Sequence, residues 1–281
     1  MATWDEFARA LPRVSARVGS GLAKEAGWVA VHLATYPLGL LADRQPRVRS
    51  GLAGLSVQQQ GLLHQHLKAA GTPILLVHGI IDNHTIFAPL RRALDRRGFS
   101  QISSFDYGLL TSDVASTAAR LGRVIEELTD RSGYERLHVI GHSLGGLLAR
   151  YYVQRMGGDA RVHTLVTLGT PHQGTELARI GARFPLVRQL RPGSALMRTL
   201  AEPAPHCRTR FVCFQSDLDQ LVVPSRNARL VHADLDVTNV SVAGVGHLSL
   251  TNHRGIAAQI AELLSELETN DTSEAPAHRL K

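Results

Sequence analysis

A chain of 281 residues, 44% of them hydrophobic, is long enough to bury one sizeable core and leaves little for a second. Its formal charge of +7 raises nucleic acid or an anionic surface as partners. Yet three of the basic residues are lysines (Lys24, Lys68, Lys281), the arginines are spread through the chain, and aromatics make up 5%. That composition argues against an aromatic base-stacking platform and for a diffuse basic surface, with no nucleic acid as partner.

In chain order, residues 1–18 carry Asp5 and Glu6 and lack the short basic start and cleavage site of a secretory signal. Classical secretion is therefore not expected, and a cytoplasmic or membrane-associated location is. Residues 26–42 are nearly uncharged, with Trp28, Tyr36 and several leucines and valines interrupted by Pro37. Three readings fit: a helix docked on the core, a peripheral membrane contact with Arg44, Arg47 and Arg49 on head groups, or a short span. Residues 43–72, with Gln58-Gln59-Gln60 and a short helix over 62–70, read as a connector. Residues 1–72 thus form an N-terminal extension ahead of the main domain.

From Pro73 an ordered alternation begins. Ile74-Leu75-Leu76-Val77 has the length of a buried parallel strand and ends in His78-Gly79-Ile80. A helix with Phe87, Leu90 and Leu94 closes at Gly98, residues 101–105 read as a second strand, and Ser112-Asp113 caps a helix over 114–130. Residues 136–140 are the third strand, followed at once by Gly141-His142-Ser143-Leu144-Gly145 and a helix over 144–156 with Leu144, Leu147, Leu148 and Tyr151 at helical spacing. Strands over 162–168, 210–214 and 239–242 complete a parallel sheet covered by helices on both faces. The alternation lapses over about 172–206, where short apolar helical pieces are separated by Gly181, Pro192-Gly193 and Pro203-Ala204-Pro205, which predicts a small helical cap over the carboxyl edge of the sheet. The polar tail, 268–281, is expected to be disordered.

A Gly-x-Ser-x-Gly arises readily in a chain this rich in glycine, but between a strand and a helix it describes a tight turn that exposes the hydroxyl of Ser143. A serine hydroxyl becomes nucleophilic when an imidazole takes its proton and a carboxylate orients that imidazole. His247, in the glycine loop after the last strand, is the expected base over His253, which sits before the final helix as a surface or capping residue. His142, His138 and His163 read as packing residues. For the acid, Asp219 precedes the apolar return Leu221-Val222-Val223 and suits a buried orienting group, whereas Asp217 suits turn hydrogen bonds and Asp106 lies on an earlier strand. The amides of Ile80 and Leu144 are the expected oxyanion donors, with His78 and Gly79 shaping the loop beside the substrate. Leu177 and Met197, with other apolar residues of the cap, are candidates for an acyl-binding wall. Cys207 and Cys213 span about 20 Å if the segment between them is extended, which predicts free thiols.

Taken together, Val77-His78-Gly79-Ile80, Gly141-His142-Ser143-Leu144-Gly145-Gly146, Gly169-Thr170-Pro171-His172-Gln173-Gly174 and Gly246-His247 resemble the bacterial α/β-hydrolase lipases, the triacylglycerol lipase and esterase group. The resemblance covers about residues 73–266. It implies an α/β-hydrolase fold with a mostly parallel sheet of about six strands, a Ser143–Asp219–His247 triad, and a lipid or short-chain ester as substrate. No cofactor is implied, and the metal sites of some lipases have no matching cluster. The reaction expected is ester hydrolysis through an acyl-enzyme; an acyltransferase uses the same three residues and differs in excluding water.

Overall fold

The computed structural model describes residues 71–80, 82–108, 113–180 and 184–271, with side chains as far as residue 265. The segment 26–42 and nearly all of the expected N-terminal extension lie outside the described residues. Six strands, β1 (Ile74–Val77), β2 (Ile102–Phe105), β3 (Leu137–His142), β4 (Val162–Leu168), β5 (Arg210–Ser216) and β6 (Asp236–Val242), form one sheet. Its order is β2-β1-β3-β4-β5-β6 and every neighbouring pair is parallel. Among the described residues six α-helices accompany it: α1 (Ala88–Arg96), α2 (Val114–Ser132), α3 (Leu144–Arg155), α4 (Pro185–Gln189), α5 (Ala195–Ala201) and α6 (Arg254–Asp271).

The period of two along each strand divides the apolar residues between two cores. Leu75, Val77, Leu137, Val139, Leu165 and Phe211 meet α2 and α3 on one face. Ile74, Leu76, Ile140, Val166, Val212 and Phe214 meet α1 and α6 on the other. Strands β1 and β3 are buried throughout, and β1 reads in sequence as an unbroken apolar run while β3 carries His138 within its own. Strand β6 closes the edge with a half-exposed pattern and begins at Asp236, earlier than the apolar signal at 239–242, because an edge strand needs apolar residues on fewer positions.

Helix ends follow ordinary capping chemistry. Asp113 accepts the amide of Ser116 at 2.8 Å to start α2, and Gly133, at φ 74°, ends it. Helix α6 continues to Asp271, past Glu268 where the polar composition predicts disorder to begin. In the expected cap, a 3-10 turn (Glu176–Arg179), α4 and α5 lie on the α2/α3 side of the sheet. Their stripe of Leu186, Leu190, Leu196, Met197 and Leu200 is buried in the main core cluster.

The chain enters the sheet at β1, steps outward to β2, then returns across β1 to β3. The loops leaving β1 and β3 therefore set out from adjacent strands in the middle of the sheet and diverge. A crevice opens at such a point, beyond the carboxyl ends of the strands.

Candidate active site

Strand β3 delivers Ser143 to this crevice. Ser143 has φ 52° and ψ −121°, and among the described residues it alone is non-glycine with positive φ. Such a conformation costs about 1–3 kcal/mol and persists where the surroundings hold it. Here the Ser143 amide donates to the Leu168 carbonyl of β4 at 2.9 Å, and its own carbonyl accepts from Gly146 at 3.2 Å. The turn is also close to β1: a Cβ on Gly145 would stand 2.2 Å from the Val77 carbonyl oxygen. Strain and close approach together keep the side chain at the tip of the turn, partly exposed, at the start of α3.

The loops after β5 and β6 bring Asp219 and His247 together. Asp219 Oδ1 accepts the amides of Leu221 and Val222, each at 2.9 Å, and Oδ2 lies 2.8 Å from His247 Nδ1. Both side chains are buried. With two amides fixing one oxygen, the other is aimed at the ring. Nδ1 then carries the donated proton, and a lone pair is left on Nε2 for base chemistry. Asp217 does other work, accepting the Gly244 amide at 2.7 Å at the root of the His247 loop.

The loop after β1 is built around His78. Burial, the largest influence, pushes its pKa below the usual 6.5, against the opposing pull of the Gly79 carbonyl and Asp106. The neutral ring donates from Nδ1 to the Gly79 carbonyl at 2.7 Å, and its Nε2 accepts the Tyr107 amide at 3.2 Å. Tyr107 stacks on the ring at 4.4 Å between centroids and donates its hydroxyl to the His78 carbonyl at 2.8 Å. Burial keeps the phenol protonated, far above its ordinary range. This clamp orients the peptides of Gly79 and Ile80. On the opposite wall, the Leu144 amide opens α3, where first-turn amides have no acceptor within the helix and the helix dipole favours negative charge.

Of the remaining candidates, His253 is exposed and its Nδ1 accepts the Ile256 amide at 3.3 Å at the start of α6. Asp106 bonds His84 Nδ1 at 2.9 Å. His138 is buried in β3, its ring edge-on to His163 at 5.5 Å. Both cysteines are free, and burial raises the Cys213 thiol to about 11. Leu177 is half-buried in the 3-10 turn, Met197 is in the core cluster, and Ile180 and Phe184 nearby are 72% and 54% exposed. Among the described residues no group of three or more His, Cys, Asp or Glu side chains is arranged to hold a metal ion, and no helix is long and apolar enough to cross a membrane.

Several residues without a role in the sequence reading support the site from below. Arg150 of α3 is buried and donates to the carbonyls of His172 at 3.0 Å and Leu200 at 2.8 Å, and to Gln154 Oε1 at 2.6 Å. Burial lowers its pKa to about 10, which still leaves it charged at neutral pH. It ties the helix behind Ser143 to the Gly-Thr-Pro-His loop and to the end of α5. His142, read as a packing residue, is fully buried and has polar partners on both ring nitrogens: Asp82 Oδ2 and the His247 carbonyl, each at 3.2 Å.

Comparison with known proteins agrees with this geometry. A family model described as the alpha/beta hydrolase fold matches residues 72–191. That stretch holds the β1 loop and Ser143 and stops short of Asp219 and His247. The triacylglycerol lipase of Pseudomonas fragi is 32% identical over 111 residues, which is 38% of this chain and 36% of that protein. The chain thus spans about a third of the length of that curated relative. A Bacillus licheniformis lipase in its mature form superposes with a TM-score of 0.59 at 17% identity, covering 69% of this chain and 92% of that one. Aspergillus fumigatus lipase B gives 0.60 at 16% identity, over 76% and 54%. At these identities the structural likeness establishes the fold.

Proposed function

We propose that this chain, which belongs to the α/β-hydrolase superfamily of lipases and esterases, is a serine carboxylester hydrolase working through an acyl-enzyme. The observation that carries the reading is the buried contact of 2.8 Å between Asp219 and His247, on the same edge of the sheet as a serine held at positive φ. In the reaction His247 Nε2 accepts the Ser143 proton as Oγ attacks the ester carbonyl. Asp219 stabilises the imidazolium so formed. Charge developing on the carbonyl oxygen is met by the amides of Ile80 and Leu144, each contributing about 3 kcal/mol by the cost of deleting such a donor. Collapse of the tetrahedral intermediate expels the alcohol with the proton from His247, and water repeats the sequence on the acyl-enzyme to release the acid.

Acylglycerols and related lipid esters are the substrate class favoured, because the Pseudomonas fragi relative is named a triacylglycerol lipase and because Ile180 and Phe184 present apolar surface in the cap segment. Steady-state hydrolysis of a p-nitrophenyl ester series and of emulsified triacylglycerol tests both levels. Ser143→Ala is expected to abolish turnover, and turnover retained by that variant refutes the mechanism. Rates that rise with acyl length and extend to the emulsion support lipid esters, whereas activity confined to short soluble esters removes that substrate class and leaves the chemistry.

A further inference from the structure

His142 stands between the two moving parts of the proposed reaction. Its backbone is the last of β3, directly before Ser143, and its ring is fully buried. On one side Nδ1 meets Asp82, which belongs to the loop after β1. Asp82 Oδ2 lies so close beneath that loop that a Cβ on Gly79 would be 2.5 Å from it. On the other side Nε2 meets the backbone carbonyl of His247, and the two rings lie 4.7 Å apart at a tilt of 50°. Both partners, a carboxylate oxygen and a carbonyl oxygen, are acceptors only. A ring held between two such acceptors is fixed in position from both sides.

Resting on the esterase reading above, we propose that His142 is a positioning residue. Bonded to Asp82 at Nδ1 and to the His247 carbonyl at Nε2, it holds the oxyanion loop and the loop of the general base in register with the nucleophile. With both nitrogens engaged it does not touch substrate. Its effect is on alignment, where an error of about 1 Å costs on the order of 100-fold in rate. It belongs in kcat, since neither partner contributes to ground-state binding.

Isosteric substitutions separate this role from simple packing. In His142→Asn the amide nitrogen stands near the position of Nδ1 and keeps the bond to Asp82; in His142→Gln it reaches toward Nε2 and keeps the bond to His247. His142→Phe fills the volume and makes neither bond. Rates on a p-nitrophenyl ester are taken per folded protein, with the folded fraction from circular dichroism. The expected result is a loss of about 10- to 100-fold in kcat for His142→Phe with KM changed less than about threefold, and partial rescue in Asn and Gln. Asp82→Asn is expected to lower kcat about 10-fold, and it keeps the test open if the Phe variant does not fold. Unchanged kcat per folded protein in these variants, or Asn and Gln no better than Phe, overturns the proposal. A wild-type protein inert to every ester and to a fluorophosphonate probe instead overturns the esterase reading beneath it.

Discussion

Among the described residues two buried histidine–carboxylate pairs stand at the same edge of the sheet, and they differ in how each is anchored. Asp219 and His247 join at 2.8 Å through Nδ1, with the other carboxylate oxygen of Asp219 anchored by two backbone amides. Asp82 and His142 join at 3.2 Å, and there the second nitrogen is spent on a carbonyl. Residue types, contact atoms and burial are alike. The pair whose carboxylate is pinned by backbone amides and faces Nδ1 fits an orienting acid and its base; the pair whose ring is bonded to Asp82 and to a loop carbonyl fits a brace. A carboxylate beside a buried histidine is therefore not a sufficient mark of a catalytic dyad.

The sharpest way to break this contrast is to neutralise each acid in turn. Asp219→Asn should lower kcat on the order of 10,000-fold, since the ring loses both its tautomer and its counter-charge. The same change at Asp82 should cost only about 10-fold. Steady-state kinetics on one ester measures both, and equal losses would erase the distinction.

A smaller effect comes from the glycine that faces each pair. Gly169 has φ 56°, and a Cβ there would lie 2.9 Å from Asp219 Oδ2 and 3.0 Å from His247 Nδ1. Gly79 approaches Asp82 in the same way and comes within 3.2 Å of the Ser143 Cβ. Gly169→Ala should lower kcat about 100-fold and also reduce thermal stability, through clash and backbone strain together. Gly79→Ala should cost about 10-fold, because Asp82 has only to shift within a brace. The reverse order would mean that the β1 loop, not the Asp–His pair, is the less tolerant part.

How much of this was legible beforehand follows from where each contact is made. The sheet was readable because β1 is buried on both faces and spells a continuous apolar run and β3 a mostly apolar one, and the elbow because a strand, two glycines and a helix fall in immediate succession. Asp219 is set apart from Asp217 in sequence by the apolar return that follows it, the segment whose amides meet Oδ1 in the structure. Asp82 was not legible, since its contact with His142 spans 60 positions and exists only because β1 and β3 are neighbours. Tyr107 and Arg150 escaped for the same reason: each acts on a distant backbone carbonyl, and carbonyls leave no trace in sequence. The apolar cap residues gave the right periodicity but not its direction, and the stripe with Met197 is buried in the core.

A third buried histidine sharpens the comparison because a cation faces it. His172 sits with Nε2 at 2.9 Å from the Thr167 hydroxyl and with Arg150 beside Nδ1 at 3.5 Å. Burial first, and Arg150 second, hold its pKa well below 6.5, so the folded protein keeps it neutral. The unfolded chain takes up a proton there near the ordinary value of about 6.5. Below that pH the unfolded state binds more protons than the folded one, and stability falls on acidification. Above it the contribution is complete and flat. One such group changes stability by at most about 1.4 kcal/mol per pH unit. His78, also depressed by burial, adds a change of the same sign. His172→Gln retains an amide for Thr167 and cannot be protonated. Urea unfolding at pH 7.5, 6.5 and 5.5 should show a shallower acid decline in this variant than in the wild type, by about 1 kcal/mol at the lowest pH. Parallel declines would mean that His172 accepts its proton in the folded state despite Arg150.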